Sequence, residues 1–336
     1  MRPMRYEEAG VHIEAKAEAL KRAKEAIVAT YTPKVLRGIG AFGGLFDAGG
    51  LKEMKEPVLV ATTDGVGTKT LLALQVGNVS GLGFDLVNHS VNDLLAQGAL
   101  PLFFMDYLAA SRLEEEVLSA LLTSLAEACK ALGIPLLGGE TAEMPGVYRE
   151  GAWDVVGTLV GVVEKEEILG PERVREGDLL LALPSSGPHT NGYSLIRKAV
   201  EGLDLEAPVP ELGESLKEAL LRPHRAYLKE FLTLREAGVR IHAIAHITGG
   251  GLPENLPRAL PEGLGAEIRK GSWSIPPIFP YLQRLGGIPE EEMYRVFNMG
   301  LGLILVLPEK EAQRAQDLVE SFPVGRVVAG SGVRLV

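Results

Sequence analysis

A single cysteine, Cys129, stands among 336 residues, so no intrachain disulfide can form. That fits a reducing compartment and leaves stability to the core. Long apolar runs are also missing. Stretches such as Leu301 to Leu307 are among the longest, far short of the ~20 residues that span a bilayer. Met1 to Lys16 carries no apolar core of a signal peptide. The expectation is a cytoplasmic protein with no membrane partner. Basic clusters are absent too: 34 Lys and Arg face 44 Asp and Glu, for a net charge of -10. That balance speaks against a nucleic-acid partner. Neither H-E-x-x-H nor C-x-x-C occurs, so a dedicated zinc site is not expected. No short-period repeat or low-complexity tail interrupts the chain.

What is present is ordinary globular composition, 46% hydrophobic and 23% charged, with 40 glycines gathered in short runs. The length predicts two domains, with the boundary near Gly170-Pro171, giving residues 1–170 and 171–336. Ile13 to Tyr31 reads as an amphipathic helix on Ile13, Ala17, Leu20, Ile27 and Tyr31. Strands are predicted at Val58–Thr63, Pro101–Leu108, Ile134–Leu137, Trp153–Glu164, Asp178–Leu183 and Gly300–Leu307. Helices are predicted over Asp85–Gly98 and Tyr193–Val200. A further helix carries Val117, Leu118, Leu121, Leu125 and Leu132, opened by a Ser111/Glu114 capping box and closed by Gly133. Interleaved strands and helices in both halves argue α/β or α+β.

Several segments carry chemistry. Gly38-Ile-Gly-Ala-Phe-Gly43 fits the dinucleotide pattern, but a helix precedes it and Gly49-Gly50 follow closely. A glycine loop covering a ligand fits better than a nicotinamide site. Asp64-Gly65-Val66-Gly67-Thr68-Lys69 ends a strand with a carboxylate, exposed backbone N–H groups, a hydroxyl and an ammonium. Phosphate takes N–H groups and a cation, and Mg²⁺ takes carboxylate oxygen; a plain Asp-Gly turn is the alternative. Asp93 lies among Val91, Leu94 and Leu95, and Asp106 within Leu102–Tyr107. A carboxylate in such company needs a partner or a metal, unless it faces solvent. Gly138-Gly139-Glu140-Thr141-Ala-Glu143-Met-Pro-Gly146 puts two glycines and two carboxylates after a strand, a position that ligand loops favour; a tight strand-to-loop turn is the alternative. Ser185–Gly192 and His246–Gly251 each join a histidine, His189 and His246, to glycines and hydroxyls. Cys129 reads as core rather than nucleophile.

Together these segments resemble one family, the aminoimidazole ribonucleotide synthetases (phosphoribosylformylglycinamidine cyclo-ligases). The resemblance is carried by Asp64–Lys69, Val91-Asn-Asp-Leu94 with Gly98-Ala99, Gly138–Gly146, Ser185–His189 with Asn191–Ser194, His246–Gly251, and Phe297-Asn298 with Gly300. It runs from about Tyr6 to the C-terminus. His12 and Ser90 depart from it, standing where an aspartate and a cysteine are expected; they leave His89 and Ser90 poor candidates for a transferred role.

The resemblance implies a two-domain α/β subunit of α+β type, paired as a homodimer whose N-terminal strands build a shared barrel. It implies ATP and Mg²⁺ as cofactors and formylglycinamidine ribonucleotide as substrate. ATP and phosphate would meet Gly43, Gly44, Asp64, Gly65, Gly67, Thr68, Lys69, Gly138, Gly139, Glu140 and Thr141, under the glycine-rich segment. Metal would be held by Asp64, Asp93 and Asp106. Substrate would meet Asn191, Thr248, Gly249 and Gly250. Lys69, His189 and His246 would be catalytic, with one histidine as general base. Selenophosphate synthetases are disfavoured by the lack of a reactive N-terminal cysteine, and formylglycinamidine ribonucleotide synthetases fit the glycine motifs poorly. A non-catalytic nucleotide-binding regulator is the alternative from another class.

Overall fold

The computed structural model describes residues 13–336; His12 and most of Met1–Lys16 lie outside the described residues. The chain forms two compact units, one from residues up to Ser90 with Pro101–Glu164, the other from Val91–Leu100 with Lys165–Val336.

The first unit holds α1 (Ile13–Val28), a small hairpin of β1 (Val35–Arg37) and β2 (Leu45–Phe46), then β3 (Pro57–Gly65) and α2 (Lys69–Gln75). Next come α3 (Leu82–Ala96), whose residues from Val91 on are counted with the second unit, β4 (Leu100–Ala110), α4 (Glu115–Ala131), β5 (Leu136–Glu143) and β6 (Trp153–Glu164). The sheet order is β3-β6-β4-β5. Along β6, buried and half-buried residues alternate without a break, as a strand with one covered face requires. β3 pairs with it antiparallel from Pro57↔Glu164 to Gly65↔Val156. β4 and β5 are parallel and set Asp106 against Gly139.

α1 packs on α4. Its fully covered positions are Ala19, Ala23 and Ile27; Ile27 lies on the expected stripe, whereas Ala17 is exposed and Ala19 and Ala23 take the seam instead. Two alanines in the seam let the helix backbones approach closely. On α4, Leu118, Leu121 and Leu125 are wholly buried, each contributing about 1.5–3 kcal/mol.

Three local expectations are corrected. α4 begins at Glu115 with Glu114 at its N-cap and no side-chain cap bond, so Ser111 and Glu114 form no capping box. The Leu113 N–H, just before the helix, instead donates to Glu143 Oε1 at 2.8 Å. α3 starts at Leu82 rather than Asp85. Gly83 fits inside it because a Cβ there would stand 2.2 Å from the Leu125 backbone nitrogen. Finally, Gly138–Thr141 is not a loop after a strand. β5 continues to Glu143, its glycines passing close beside β4.

The second unit holds β7 (Leu179–Pro184), α5 (Tyr193–Ala199), β8 (Pro208–Val209), β9 (Glu214–Ser215), α6 (Leu216–Leu221) and α7 (Leu228–Glu236). It continues through β10 (Ala243–His246), α8 (Gly251–Asn255), β11 (Leu264–Ile268), α9 (Ile278–Gly286) and α10 (Glu290–Val296). It ends with β12 (Leu301–Leu307), α11 (Glu309–Leu318), β13 (Phe322–Ala329) and β14 (Val333–Leu335). The main sheet runs β10-β12-β7-β13-β11-β14. Its pairings are antiparallel except β11 with β14. Every residue of β12 is buried, which its run of Leu, Ile and Val requires. The molecule is thus mixed α/β with largely antiparallel sheets.

One consequence of this order positions chemistry. β7 and β10 both flank β12 antiparallel, so they run the same way. Leu303 lies opposite His246 on one side and Leu183 on the other. The loops leaving β7 and β10 therefore emerge together at one edge of the sheet.

Candidate functional site

In the first unit, β1 and β2 pair antiparallel, so the glycine-rich segment Gly38–Gly44 is the tip of a hairpin. It lines a cavity of about 380 Å³ with Asp106, Gly138, Gly139, Glu140 and Gly157. An adjoining space of about 170 Å³ reaches Lys16 and Thr141. Gly139 is required by close approach, since a Cβ would lie 2.3 Å from Asp106 Oδ1. The segment is pinned by the Tyr31 hydroxyl, which accepts from the Ile39 N–H at 2.7 Å.

The charges around this cavity are set by burial and by Lys16. The Lys16 ammonium donates to Glu140 Oε1 at 3.0 Å and to the Thr141 carbonyl at 2.6 Å. That bond holds the Glu140 carboxyl below its usual range. Asp106 is pushed up to about 7, chiefly by burial, against a backbone hydrogen bond and with added repulsion from Glu140. It is therefore able to donate a hydrogen bond near neutral pH. Burial, with the Asp106 charge adding, pushes the Cys129 thiol well up, which suits a core residue and not a nucleophile.

Asp64 sits near the end of β3 with its side chain partly exposed. Its Oδ1 accepts from the Gly65 N–H at 2.6 Å, and its Oδ2 lies 2.6 Å from His89 Nε2. His89, set aside on sequence, is thus the immediate partner of the carboxylate at the head of the motif. The signal for it was the four-residue spacing of Asp85, His89 and Asp93. Thr68 caps α2, and Gly67 adopts φ +70° in the turn before it. Lys69, expected to face phosphate, is placed otherwise: its side chain is fully buried and donates to Asp85 Oδ1 at 2.8 Å. Desolvation lowers its pKa, and the Asp85 charge opposes that. The first residue of α2 points into the core, and among the described residues Lys16 brings a cation to the adjoining space instead.

In the second unit, His189 from the loop after β7, His246 at the end of β10 and His224 from the segment between α6 and α7 come together, all buried. His246 Nδ1 lies 2.8 Å from Asp93 Oδ1, and its Nε2 lies 3.0 Å from His224 Nε2. His224 stacks on His189 with centroids 3.8 Å apart and planes at 23°. His189 takes φ 60°, a left-handed conformation rare for a non-glycine residue, and its Nε2 accepts from the Ser186 N–H at 3.1 Å. Asn92 braces the segment carrying His224: it donates to the Arg225 carbonyl at 2.8 Å and accepts from the Tyr227 N–H at 3.0 Å.

The loop after His246 is shaped by Asn255. Its amide donates to the carbonyls of Thr248, Gly249 and Gly251. Gly250 and Gly251 take φ +90° and +57°, and a Cβ on Gly251 would meet the Tyr294 carbonyl at 1.9 Å. The loop is therefore committed to glycine. Asn191 faces it, with its Oδ1 3.5 Å from where a Gly249 Cβ would sit. The Asn191 Nδ2 is buried with no hydrogen-bond partner among the described residues, a donor left over for a ligand. The structure thus groups His189, His246, Asp93, Asn191 and Thr248–Gly250 in the second unit. Asp64, Asp106 and Gly138–Thr141 belong to the first.

Comparison with known proteins gives the family. The family model described as "AIR synthase related protein, N-terminal domain" matches residues 47–163, and the corresponding C-terminal domain model matches 175–336. A phosphoribosylformylglycinamidine cyclo-ligase of Desulfitobacterium hafniense is 48% identical over 94% of this chain and 93% of its own length. One of Bacillus pumilus is 47% identical over 98% of this chain and 96% of its own. Among solved structures, the hydrogenase maturation protein HypE of E. coli superposes with TM-score 0.68 at 19% identity, covering 95% of this chain and 93% of that one. A thiamine-monophosphate kinase from Stenotrophomonas maltophilia gives 0.66 at 21%, covering 94% and 95%; at these identities the likeness is one of fold. With two domain models spanning most of its length and near-full-length relatives at almost half identity, the chain belongs to the phosphoribosylformylglycinamidine cyclo-ligases, a family of ligase enzymes.

Proposed function

We propose that this protein converts formylglycinamidine ribonucleotide to aminoimidazole ribonucleotide in de novo purine biosynthesis, with ATP giving ADP and phosphate. The observation that carries it is the 47% identity to a named cyclo-ligase over 98% of the chain. A HypE solved in complex with ATP shares the fold at TM-score 0.65, which supports nucleotide use without assigning a pocket here.

We assign ATP to the first-unit cavity, with Gly43, Gly44, Gly138 and Gly139 offering backbone to phosphate and Lys16 supplying a cation. Asp64, Gly65, Gly67 and Thr68 belong to the same proposal, with Glu140 and Thr141 on the wall; Lys69 holds that turn from within the core. Residues 1–170 would form the ATP-binding and dimerisation domain and 171–336 the C-terminal α/β domain. The homodimer with a shared barrel finds support in β3, an edge strand whose Leu59 is 61% exposed. Such an edge calls for cover. No helix of the described residues is long and apolar enough to cross a membrane, and a cytoplasmic location accompanies the proposal.

The carboxylates of Asp64 and Asp93 are partly exposed and fit Mg²⁺ ligands. Asp106, buried and inclined to hold its proton, fits a hydrogen-bond donor better. Bound Mg²⁺ would neutralise phosphate charge. The reaction needs an activated amide carbon, because an amide is a weak electrophile and oxide a poor leaving group. Transfer of the γ-phosphoryl group to the formyl oxygen corrects both. The amidine nitrogen then attacks, loses a proton to His189 or His246, and phosphate departs. Asn191, Thr248, Gly249 and Gly250 would hold the substrate. Incubation with ATP, Mg²⁺ and formylglycinamidine ribonucleotide, with detection of the imidazole product, tests the proposal; ATP binding without product would leave the regulator reading instead.

A further inference from the structure

The second unit holds a residue that none of the sequence motifs contains. His224 lies in Arg222-Pro223-His224-Arg225 between α6 and α7. It is almost wholly buried, and it meets both histidines of the two loops: edge-on to His246 and stacked on His189.

With the imidazoles neutral, their partners set the direction of each hydrogen bond. An ionised Asp93 carboxylate can only accept, so the His246 Nδ1 at 2.8 Å carries a proton. Neutral His246 then has a lone pair on Nε2. That atom is 3.0 Å from His224 Nε2, and two nitrogens at this distance need one proton between them. His224 therefore carries its proton on Nε2 and has its lone pair on Nδ1. Thr190 Oγ1 lies 3.4 Å from that Nδ1, and its hydroxyl can turn to donate. The resulting chain runs one way, Thr190 to His224 to His246 to Asp93. A shared metal ion is a poor alternative for the three imidazoles. The rings of His189 and His224 lie within 23° of parallel at 3.8 Å, so their in-plane lone pairs do not converge on one point.

We infer that His224 is a positioning residue for this site, holding His246 as the Nδ1–H tautomer by donating to its Nε2 and holding His189 by stacking. The inference rests on the proposed function only in taking His189 and His246 as participants in the reaction. With that bond in place, His246 Nε2 acts as a base only when the His224 bond opens.

The test is nitrogen NMR of the full-length protein labelled in its six histidines, joined to kinetics of two variants. Wild type is expected to show a through-hydrogen-bond coupling between the Nε2 nuclei of His224 and His246, with His246 protonated at Nδ1. His224→Phe keeps a stacked ring and loses the donor; kcat should fall about tenfold or more, with KM and unfolding temperature little changed. His224→Gln, whose amide N–H reaches the same atom, should recover most of that loss. An unprotonated His224 Nε2 with no coupling would overturn the inference, as would wild-type turnover in His224→Phe. If His224→Phe fails to fold, the wild-type spectrum and the His224→Gln rate decide. If the wild-type protein does not turn over the nucleotide substrate, the proposed function falls while the spectrum still decides the chain.

Discussion

Replacing Lys69 by Met separates two roles for the lysine of the Asp64–Lys69 motif. The structure buries its side chain fully, with the Asp85 carboxylate at 2.8 Å and equally buried. Met retains the length and most of the volume, so little cavity forms, but Asp85 is left in the core without its cation. Removing one partner of a buried pair costs about 3–5 kcal/mol. For a unit of ~150 residues each kcal/mol moves the unfolding midpoint roughly 2–4 °C. Calorimetry should therefore show the first unit melting about 6–20 °C lower. The double variant Lys69→Met with Asp85→Leu should recover most of this, because an apolar pair in place of a buried ion pair is often neutral or better. ATP affinity, measured by titration calorimetry below the transition, should change little in the double variant. The reasoning is refuted if Lys69→Met melts within about 1 °C of wild type while ATP binding weakens about tenfold. That pattern belongs to a lysine that touches phosphate.

Asp106 keeps its proton in the folded state up to about 7 instead of 3.8. The native state then binds more protons than the unfolded chain between those values, and stability falls as pH rises through that window. Asp106→Asn should remove this cost, gaining up to about 4 kcal/mol on wild type between pH 4 and 8 by thermal unfolding; parallel pH profiles for the two proteins would exclude it. Asp64→Asn and Asp93→Asn should each lower Mg²⁺-dependent turnover about tenfold, near 1.4 kcal/mol, and near-normal rates in both would make these acids structural. Sedimentation equilibrium should give twice the 36.0 kDa chain mass, against which a stable, active monomer would stand. Substrate labelled with ¹⁸O in the formyl group should yield labelled phosphate, one atom per turnover; unlabelled phosphate from intact labelled substrate would defeat activation at that oxygen.

Much of the architecture was legible because it is written locally. β6 and β12 fall where apolar run and alternation place them, at Trp153–Glu164 and Leu301–Leu307. α5 begins at Tyr193 as the loop glycine before it requires. The misplacements share a cause. Ser111 does not open α4, and the Leu113 N–H before the helix goes to Glu143 at the end of β5. Gly138 and Gly139 look like a loop on composition, yet both lie in β5, and at Gly139 the neighbouring Asp106 leaves no room for a Cβ. In both places tertiary packing overrode the local signal.

The candidate site divides along the same line. Motifs located the loops, because glycines and hydroxyls at fixed spacing are local features. They did not assign partners. Asp93, on α3, and His246, at the end of β10, are 153 residues apart, and nothing local to either segment signals their meeting. Lys69 reads as a phosphate cation beside Gly67 and Thr68, but Asp85 captures it from one helix further on. His224 belongs to no glycine loop and carries no spacing of its own. It becomes visible only because β7 and β10 run the same way on either side of β12, bringing His189 and His246 close enough for one imidazole to touch both. Charge and tautomer at this site are therefore properties of the sheet topology as much as of the motifs. Variants that leave every motif intact, such as those at His224, are predicted to alter it.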